Sequence, residues 1–231
     1  MERYSKIQEK RKREIILLRG SGCVYKKCAF CDYYHDSCKD ESENFALNSQ
    51  VLEKVDGEFG DLEIINSGSV FELDKNTLDL IKQVAKSKGL KTLHFEAHYL
   101  YKDKIPALRK EFCDFDLKMK LGLETFDYQL REKALKKGIP EKSPCVIAKY
   151  FDEANFLFGI NGQSVETMKR DIELGLKYFE RICINIMCEN SSEIKPDKAV
   201  IDDFVNDIYP MYKDDYRVDI LLDNTDFGVG D

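Results

Sequence analysis

The sequence lacks any long run of apolar residues. Its 231 residues are 43% hydrophobic, which is enough for a sizeable core. The apolar runs are nevertheless too short to span a bilayer, and no long apolar segment of the signal-peptide kind occurs near the start. We therefore expect a cytoplasmic protein with no membrane partner. Thiols stay reduced in that compartment, so the eight cysteines favour metal ligands or buried small side chains over disulfides.

An excess of positive charge is also missing, because the formal net charge is −7. Proteins that bind a polyanion such as tRNA normally carry an excess of lysine and arginine. The charge therefore argues against nucleic acid and favours a small-molecule substrate. The basic residues near the start are interpreted as a solvated helix face; they are Lys6, Lys10, Arg11, Lys12 and Arg13.

Repeats, linkers and low-complexity segments are absent as well, so we expect one domain over residues 1–231. Short apolar, β-branched runs predict seven strands, at 14–18, 62–65, 91–95, 117–121, 154–158, 181–187 and 217–222. Apolar residues at three- and four-residue spacing predict helices between them, at 74–88, 127–137, 164–177 and 196–211.

This alternation of strand and helix is typical of βαβ units on a parallel sheet. Six such units and a last strand are too few for a complete eight-fold barrel. We therefore expect an α/β fold, a partial (β/α)6 TIM-like barrel with an extra C-terminal strand. In such folds the functional residues gather at the C-terminal ends of the strands.

Three cysteines follow the first predicted strand within nine residues: Cys23, Cys28 and Cys31. Three interpretations compete. The cysteines are core or surface residues placed by chance, or they form a structural zinc site whose fourth ligand would be His35 or Cys38. The third interpretation is an iron–sulfur cluster with one iron left open. The tight spacing favours the cluster.

This cysteine loop resembles that of the radical SAM superfamily, in which three cysteines bind a 4Fe–4S cluster and an aromatic residue precedes the third. Phe30 matches, whereas the first spacing is four residues instead of the usual three. The resemblance implies that the three cysteines bind three irons and that the fourth iron binds S-adenosylmethionine (SAM). One electron, from a reduced flavodoxin or ferredoxin, would then cleave SAM to a 5′-deoxyadenosyl radical. Tyr25 and Phe30 are assigned to cofactor binding.

Further cofactor candidates follow the next two predicted strands. Ser67-Gly68-Ser69 stands where the superfamily presents backbone groups to the methionine amine, and Gly68 permits a close backbone approach. Glu96 ends an apolar strand, where a buried carboxylate needs the partners that a cationic or hydroxyl-rich ligand supplies; the alternative is a rim carboxylate in water. His98 is the candidate for proton transfer near neutral pH, and a purely structural histidine is its alternative.

The fourth predicted strand ends in Gly122-Leu123-Glu124-Thr125. This resembles a segment that faces the adenosine part of SAM in the branch with methylthiotransferase-like and archaeosine-synthase-like enzymes. The resemblance implies that Glu124 accepts hydrogen bonds from the ribose hydroxyls. Arg131 is expected to pair with Glu124 or with the cofactor carboxylate, or to be a surface helix charge.

Polar residues after the last strands are the candidates for substrate binding: Asn155, Glu189, Asn190, Asp223 and Asp226. A carboxylate that faces a guanine-like edge accepts two N–H bonds, each worth roughly 1.5–3 kcal/mol. The set therefore predicts a purine or deazapurine base. Each residue alone also fits a polar loop or a helix cap.

Without an auxiliary domain, the strand-end pattern resembles the queuine lyase family of queuosine salvage. That resemblance implies cleavage of the C–N bond of queuine, which releases 7-aminomethyl-7-deazaguanine and a cyclopentene fragment. Two other classes stay open. One is a tRNA-modifying radical SAM enzyme of the archaeosine-synthase type, and the other is a non-enzymatic iron–sulfur or zinc module.

Overall fold

Parallel strands with helices between them make up most of the chain. The computed structural model describes residues 2–223. The chain divides into two compact units. Of the described residues, the first unit holds 2–26 together with 33–119, and the second holds 27–32 together with 120–223. Among the described residues, no helix combines the length and the apolar character needed to cross a bilayer.

The first unit contains four complete strands and the start of a fifth. In chain order its strands and α-helices are β1 (Tyr4–Ile7), β2 (Arg13–Leu18), α1 (Glu41–Leu52), β3 (Asp61–Asn66), α2 (Lys75–Ser87), β4 (Thr92–Glu96), α3 (Ile105–Glu111) and the start of β5 (Asp116–Glu124). 3₁₀ helices lie at Tyr33–His35, Val70–Glu72 and Tyr99–Lys104. β1 runs antiparallel to β2, and β2, β3 and β4 are parallel neighbours.

Burial of β-branched and aromatic residues explains why these strands form. Ile16, Ile64 and Phe95 lie on β2, β3 and β4 and are almost completely buried. α2 begins at the side-chain cap of Asp74 and buries Ile81 on one face, as an amphipathic helix does. The buried side chains of these strands and of α2 therefore hold the strands in place.

The second unit repeats the pattern. Its elements are the end of β5, a π-helical turn (Leu130–Ala134), α4 (Pro144–Ile147), β6 (Glu153–Phe158), α5 (Val165–Tyr178), β7 (Arg181–Ile186), α6 (Lys198–Asp203), a second π-helical turn (Phe204–Ile208), α7 (Tyr209–Tyr212) and β8 (Val218–Leu221). β5, β6, β7 and β8 are parallel neighbours in chain order. Phe158 packs against Phe204 with ring centroids 5.8 Å apart, which joins the last helical segments to the sheet.

All seven predicted strands are present, and the interpretation of the basic start was wrong. Tyr4–Ile7 forms the antiparallel strand β1, and Arg13 is buried in β2, where its guanidinium contacts Glu63 at 2.6 Å. A buried arginine needs such a partner, and this one comes from fifty residues further along the chain. The helix predicted over 127–137 is shorter, a π-helical turn of five residues.

The buried Arg13–Glu63 pair gives a stability prediction. Glu63→Gln keeps the shape but removes the negative charge that the buried guanidinium contacts, and we expect the free energy of unfolding to fall by about 3 kcal/mol. Urea unfolding followed by circular dichroism measures this. Asp79→Asn is the matched control, since Asp79 pairs with Lys75 and Lys82 at an exposed surface, and it should unfold like the wild type. An equal loss in both variants would contradict the assignment.

Candidate functional site

The end of β3 in the first unit is organised around a buried carboxylate that the sequence did not single out. Glu72 closes the 3₁₀ turn after β3 and is 7% exposed. Its Oε1 accepts hydrogen bonds from the amide of Val24 at 2.7 Å and from the hydroxyl of Tyr101 at 3.1 Å. Its Oε2 accepts from the amide of Ser69 at 2.6 Å. Glu72 therefore ties the end of β3 to the cysteine-bearing segment.

Two glycines make this close packing possible. A Cβ at Gly68 would lie 2.1 Å from Oε2 of Glu72 and 3.2 Å from the amide nitrogen of Cys23. A Cβ at Gly20 would lie 2.8 Å from the carbonyl oxygen of Glu72. A larger residue at either position would displace the segment that carries Cys23 from the segment that follows β3. The missing side chain at Gly68 brings this strand end next to Cys23, and the backbone approach to the cofactor that was expected there stays a prediction.

The hydroxyl of Ser67 is used inside the fold. It donates to Oδ2 of Asp36 at 3.0 Å, and Asp36 forms an ion pair with Arg3. A charge-assisted bond of this kind holds the side chain in one orientation. The assignment of residues 67–69 to cofactor binding, which concerned backbone groups, stays a prediction.

His98 and Tyr25 contact each other. Their rings stack with centroids 4.5 Å apart. Nδ1 of His98 accepts a hydrogen bond from the amide of Leu100 at 3.1 Å, so the neutral imidazole carries its proton on Nε2. Glu96 is half-buried at the end of β4. The roles predicted for His98, Tyr25 and Glu96 stay predictions.

In the second unit, β5 ends in a strained residue. Glu124 has φ of +71°, in the left-handed region that non-glycine residues rarely adopt. The register between β5 and β6 shifts between Gly122 and Glu124. Oε1 of Glu124 accepts a hydrogen bond from Nζ of Lys137 at 2.8 Å, and both side chains are buried. A Cβ at Gly122 would lie 2.8 Å from each of these two atoms, so glycine makes room for the pair.

Lys137 brings positive charge to the second and third cysteines. Its Nζ lies 5.3 Å from the ring centroid of Phe30, which stands between Cys28 and Cys31 in the sequence. Burial lowers the pKa of Lys137, but the Glu124 carboxylate and negative charge on Cys28 and Cys31 outweigh it, so this pKa lies above its ordinary value. The ammonium is therefore charged at any functional pH. Cys28 and Cys31 are half-buried thiols outside any disulfide.

The prediction that Arg131 pairs with Glu124 or is a surface charge was wrong. Lys137 is the partner of Glu124, and Arg131 is completely buried. Its guanidinium donates to the carbonyl oxygens of Thr125, Ile139 and Glu141 at 2.6–3.2 Å. These bonds make Arg131 the internal support of the segment after β5, which offers no support for its assignment to cofactor binding.

Asn190 also has an internal partner. Its Nδ2 donates to the carbonyl oxygen of Phe30 at 2.9 Å. Asp32 accepts hydrogen bonds from the amide and hydroxyl of Ser191 at 3.0 Å. The segment after β7 therefore holds the residues on both sides of Cys31, Phe30 and Asp32, by hydrogen bonds. Asn190, assigned to the substrate, has a structural use beside the cysteine loop, and its contact with a base stays a prediction.

The remaining substrate candidates come from β6 and from the segments after β7 and β8. Asn155 is half-buried in β6, in register with Gly122 of β5. Glu189 is exposed and lies 3.4 Å from Lys195. Asp223 is exposed just after β8, and Asp226 lies outside the described residues. Their predicted convergence on one base stays a prediction.

A second carboxylate missed from the sequence supports the segment after β5. Asp171 on α5 is buried, and its Oδ1 accepts a hydrogen bond from the amide of Phe126 at 2.8 Å. Burial raises the pKa of Asp171 to about 6, although the hydrogen bonds from Thr125 and Phe126 oppose the shift. Helical spacing alone places Asp171 on α5 without showing that it faces inward. Glu72 did carry a signal, since Ser69 and Glu72 have the spacing of a capping box.

Comparison with known proteins identifies the family. No protein-family model matches the chain. Across the full length of both chains, the protein is 44% identical to the solved queuine lyase from Clostridium spiroforme bound to SAM and queuine, with a TM-score of 0.94. The chain belongs to the queuine lyase family of radical SAM enzymes. This match confirms the predicted fold class, a partial (β/α)6 barrel, and shows that the protein is an enzyme.

Two further similarities are more limited. A solved methylornithine synthase is 18% identical, with a TM-score of 0.55, over 80% of this chain and 57% of that one, and it shows the fold alone. An uncharacterised protein of Methanocaldococcus jannaschii is 31% identical over 141 residues. That region covers 54% of this chain and only 38% of the length of that relative.

Asp171 gives a pH-dependent prediction. Because its pKa is raised in the folded protein, the native state binds this proton more tightly than the unfolded chain, and stability falls as the pH rises from about 4 to about 6. The cost at pH 7 is on the order of 3 kcal/mol. Asp171→Asn removes the titration, so the difference in free energy of unfolding, variant minus wild type, should rise by up to about 3 kcal/mol between pH 4 and pH 7.

Urea unfolding at a series of pH values measures this difference. The control is Glu173→Gln, an exposed position on the same helix, which should show no such rise. A flat difference for Asp171→Asn would contradict the burial of an ionised carboxylate at this position.

Proposed function

We propose that the protein is a radical SAM lyase that cleaves the C–N bond of queuine and releases 7-aminomethyl-7-deazaguanine and a cyclopentene product. The observation that carries this proposal is the full-length, 44% identical match to an enzyme solved with SAM and queuine bound. The acidic balance of the chain agrees with a small-molecule substrate rather than tRNA.

The cysteine loop suits a 4Fe–4S cluster held by Cys23, Cys28 and Cys31. All three are thiols outside disulfides and half-buried, and thiolates are the ligands that such clusters take. Among residues 2–223, no three His, Cys, Asp or Glu side chains are grouped to hold a single metal ion. The assignment therefore rests on the spacing of the cysteines and on the family. When bound, the cluster supplies the electron that cleaves SAM to methionine and the 5′-deoxyadenosyl radical.

The residues of the chain prepare this chemistry by holding groups in place. The amide of Ala29 donates to the carbonyl oxygen of Leu135 at 2.9 Å, and its own carbonyl accepts from the amide of Ile194 at 3.0 Å. With the Asn190 bond to Phe30, these contacts fix the loop around Cys28 and Cys31. Fixed ligands and fixed binding groups lower the entropic cost of reaching the reactive geometry.

Glu124 would accept hydrogen bonds from the bound SAM, and Lys137 would hold the Glu124 carboxylate in place. The carboxylate of Glu124 keeps one oxygen on Lys137, and the other is the acceptor proposed for the ribose hydroxyls. Charge-assisted hydrogen bonds of this kind are the stronger class and are directional. The buried ammonium of Lys137 offsets negative charge at Glu124 and at the neighbouring thiolates.

The direct test is product formation. Reduced, cluster-reconstituted protein incubated anaerobically with SAM and queuine should yield 7-aminomethyl-7-deazaguanine and 5′-deoxyadenosine, detected by liquid chromatography and mass spectrometry. Cys28→Ala should lose both products and the brown cluster absorbance, because the cluster loses a ligand. Cys113→Ala is the matched control: Cys113 is exposed and lies outside the cysteine loop, so activity should be retained.

The outcomes separate the parts of the proposal. Formation of 5′-deoxyadenosine without 7-aminomethyl-7-deazaguanine would refute the substrate and leave the cofactor assignment intact. An intact brown centre and SAM cleavage in Cys28→Ala would refute the cluster assignment.

A further inference from the structure

The Glu72 carboxylate connects two segments to which the proposed function gives different tasks. One segment carries Cys23, and Val24 follows it directly. The other is the end of β3 with Ser69. Glu72 accepts hydrogen bonds from the backbone amides of Val24 and Ser69 at 2.7 and 2.6 Å. Val24 and Glu72 are 48 residues apart in the sequence, so this one side chain connects distant parts of the chain.

The donors around this carboxylate are neutral groups. Two are backbone amides and the third is the hydroxyl of Tyr101. Within residues 2–223, no lysine or arginine forms an ion pair with Glu72. A buried carboxylate kept by directional hydrogen bonds alone is sensitive to the position of each donor. Displacing either amide would leave the carboxylate under-satisfied, so both segments are held at once.

The backbone around Glu72 is equally constrained. Its carbonyl oxygen accepts hydrogen bonds from the amide and hydroxyl of Ser21, at 3.0 and 3.2 Å. Side chain and main chain of one residue therefore grip the cysteine-bearing segment on both sides of Cys23, at Ser21 and at Val24. The missing side chain at Gly68 lets the backbone of Cys23 approach, since a Cβ there would lie only 3.2 Å from its amide nitrogen.

We propose that Glu72 is a positioning residue that sets the Cys23 ligand against the β3 end where the methionine part of SAM would bind. This inference rests on the proposed function, because that function assigns Cys23 to the cluster and residues 67–69 to the cofactor. The capping-box geometry alone would need only the Ser69 contact. The bonds to Val24 and Tyr101 are not part of the capping box. The first holds the cysteine-bearing segment against Glu72, and the second holds the Glu72 carboxylate in place.

Glu72→Gln is the sharpest variant. It preserves the shape, but one carboxylate oxygen becomes an NH₂ donor that must face either the Ser69 amide or the Val24 amide, so one hydrogen bond is replaced by opposed donors. We expect SAM to bind roughly ten- to a hundredfold more weakly to the reconstituted variant. Amide hydrogen exchange in the protein without cluster should also become faster in the peptide that covers residues 21–27.

Two further variants complete the experiment. Glu111→Gln makes the same chemical change at an exposed carboxylate that pairs with Lys82, and it should match the wild type in both measurements. Tyr101→Phe removes one donor and leaves both backbone bonds, so its SAM affinity should fall about threefold. If Glu72→Gln fails to fold, Tyr101→Phe decides: unchanged SAM affinity then overturns the inference.

Each result bears on one idea. Faster exchange at residues 21–27 together with weaker SAM binding supports the positioning role. Faster exchange with wild-type SAM affinity overturns it, as does wild-type behaviour in both measurements. Failure of the wild type to release 7-aminomethyl-7-deazaguanine from queuine refutes the substrate alone, since SAM affinity and exchange are measured without queuine.

Discussion

The burial of carboxylates at the ends of parallel strands is the constraint on which this structure depends. A carboxylate removed from water is costly unless hydrogen bonds or a cation satisfy it. Glu72 is satisfied by two backbone amides and a hydroxyl, and Glu124 by Lys137. The partners of Glu72 come from distant parts of the chain, whereas Lys137 follows Glu124 by thirteen residues. The arrangement of the loops follows from these requirements as much as from apolar packing.

Apolar patterning made the strands readable from the sequence. The predicted strands at 14–18 and 62–65 have the β-branched, buried character of parallel strands, and the structure places β2 and β3 within a residue or two of these bounds. β1 was missed because its four residues, Tyr4-Ser5-Lys6-Ile7, lack the alternation of polar and apolar types that indicates a strand, and all four are only partly buried. Its place depends on pairing with β2, which is a non-local contact.

The site was readable where function leaves a local signature. The cysteine spacing and the Gly122–Thr125 segment pointed to the family that the full-length match then showed. The partners of buried charges were not readable in this way. Lys137 and Arg131 both follow Glu124 within thirteen residues, and local sequence does not say which cation turns toward it.

The backbone decides between these two cations. Arg131 can offer several donors in a planar fork, and three carbonyl oxygens from residues 125–141 surround it. Lys137, a compact charge on a flexible stem, reaches a single carboxylate oxygen through the space left by Gly122. Each cation thus occupies the environment that suits its geometry.

Gly122, Glu124 and Lys137 contact one another and together determine the conformation at the end of β5. A left-handed backbone at Glu124 costs on the order of 1–2 kcal/mol, and such strain persists only where the surroundings over-determine it. Here the hydrogen bond from Lys137 and the space left by Gly122 hold Glu124 in this conformation. Strain of this kind collects at binding sites, because it directs a side chain away from where a regular strand would place it. The register shift between Gly122 and Glu124 turns the Glu124 side chain away from its regular strand position, which supports the contact with SAM that we propose for it.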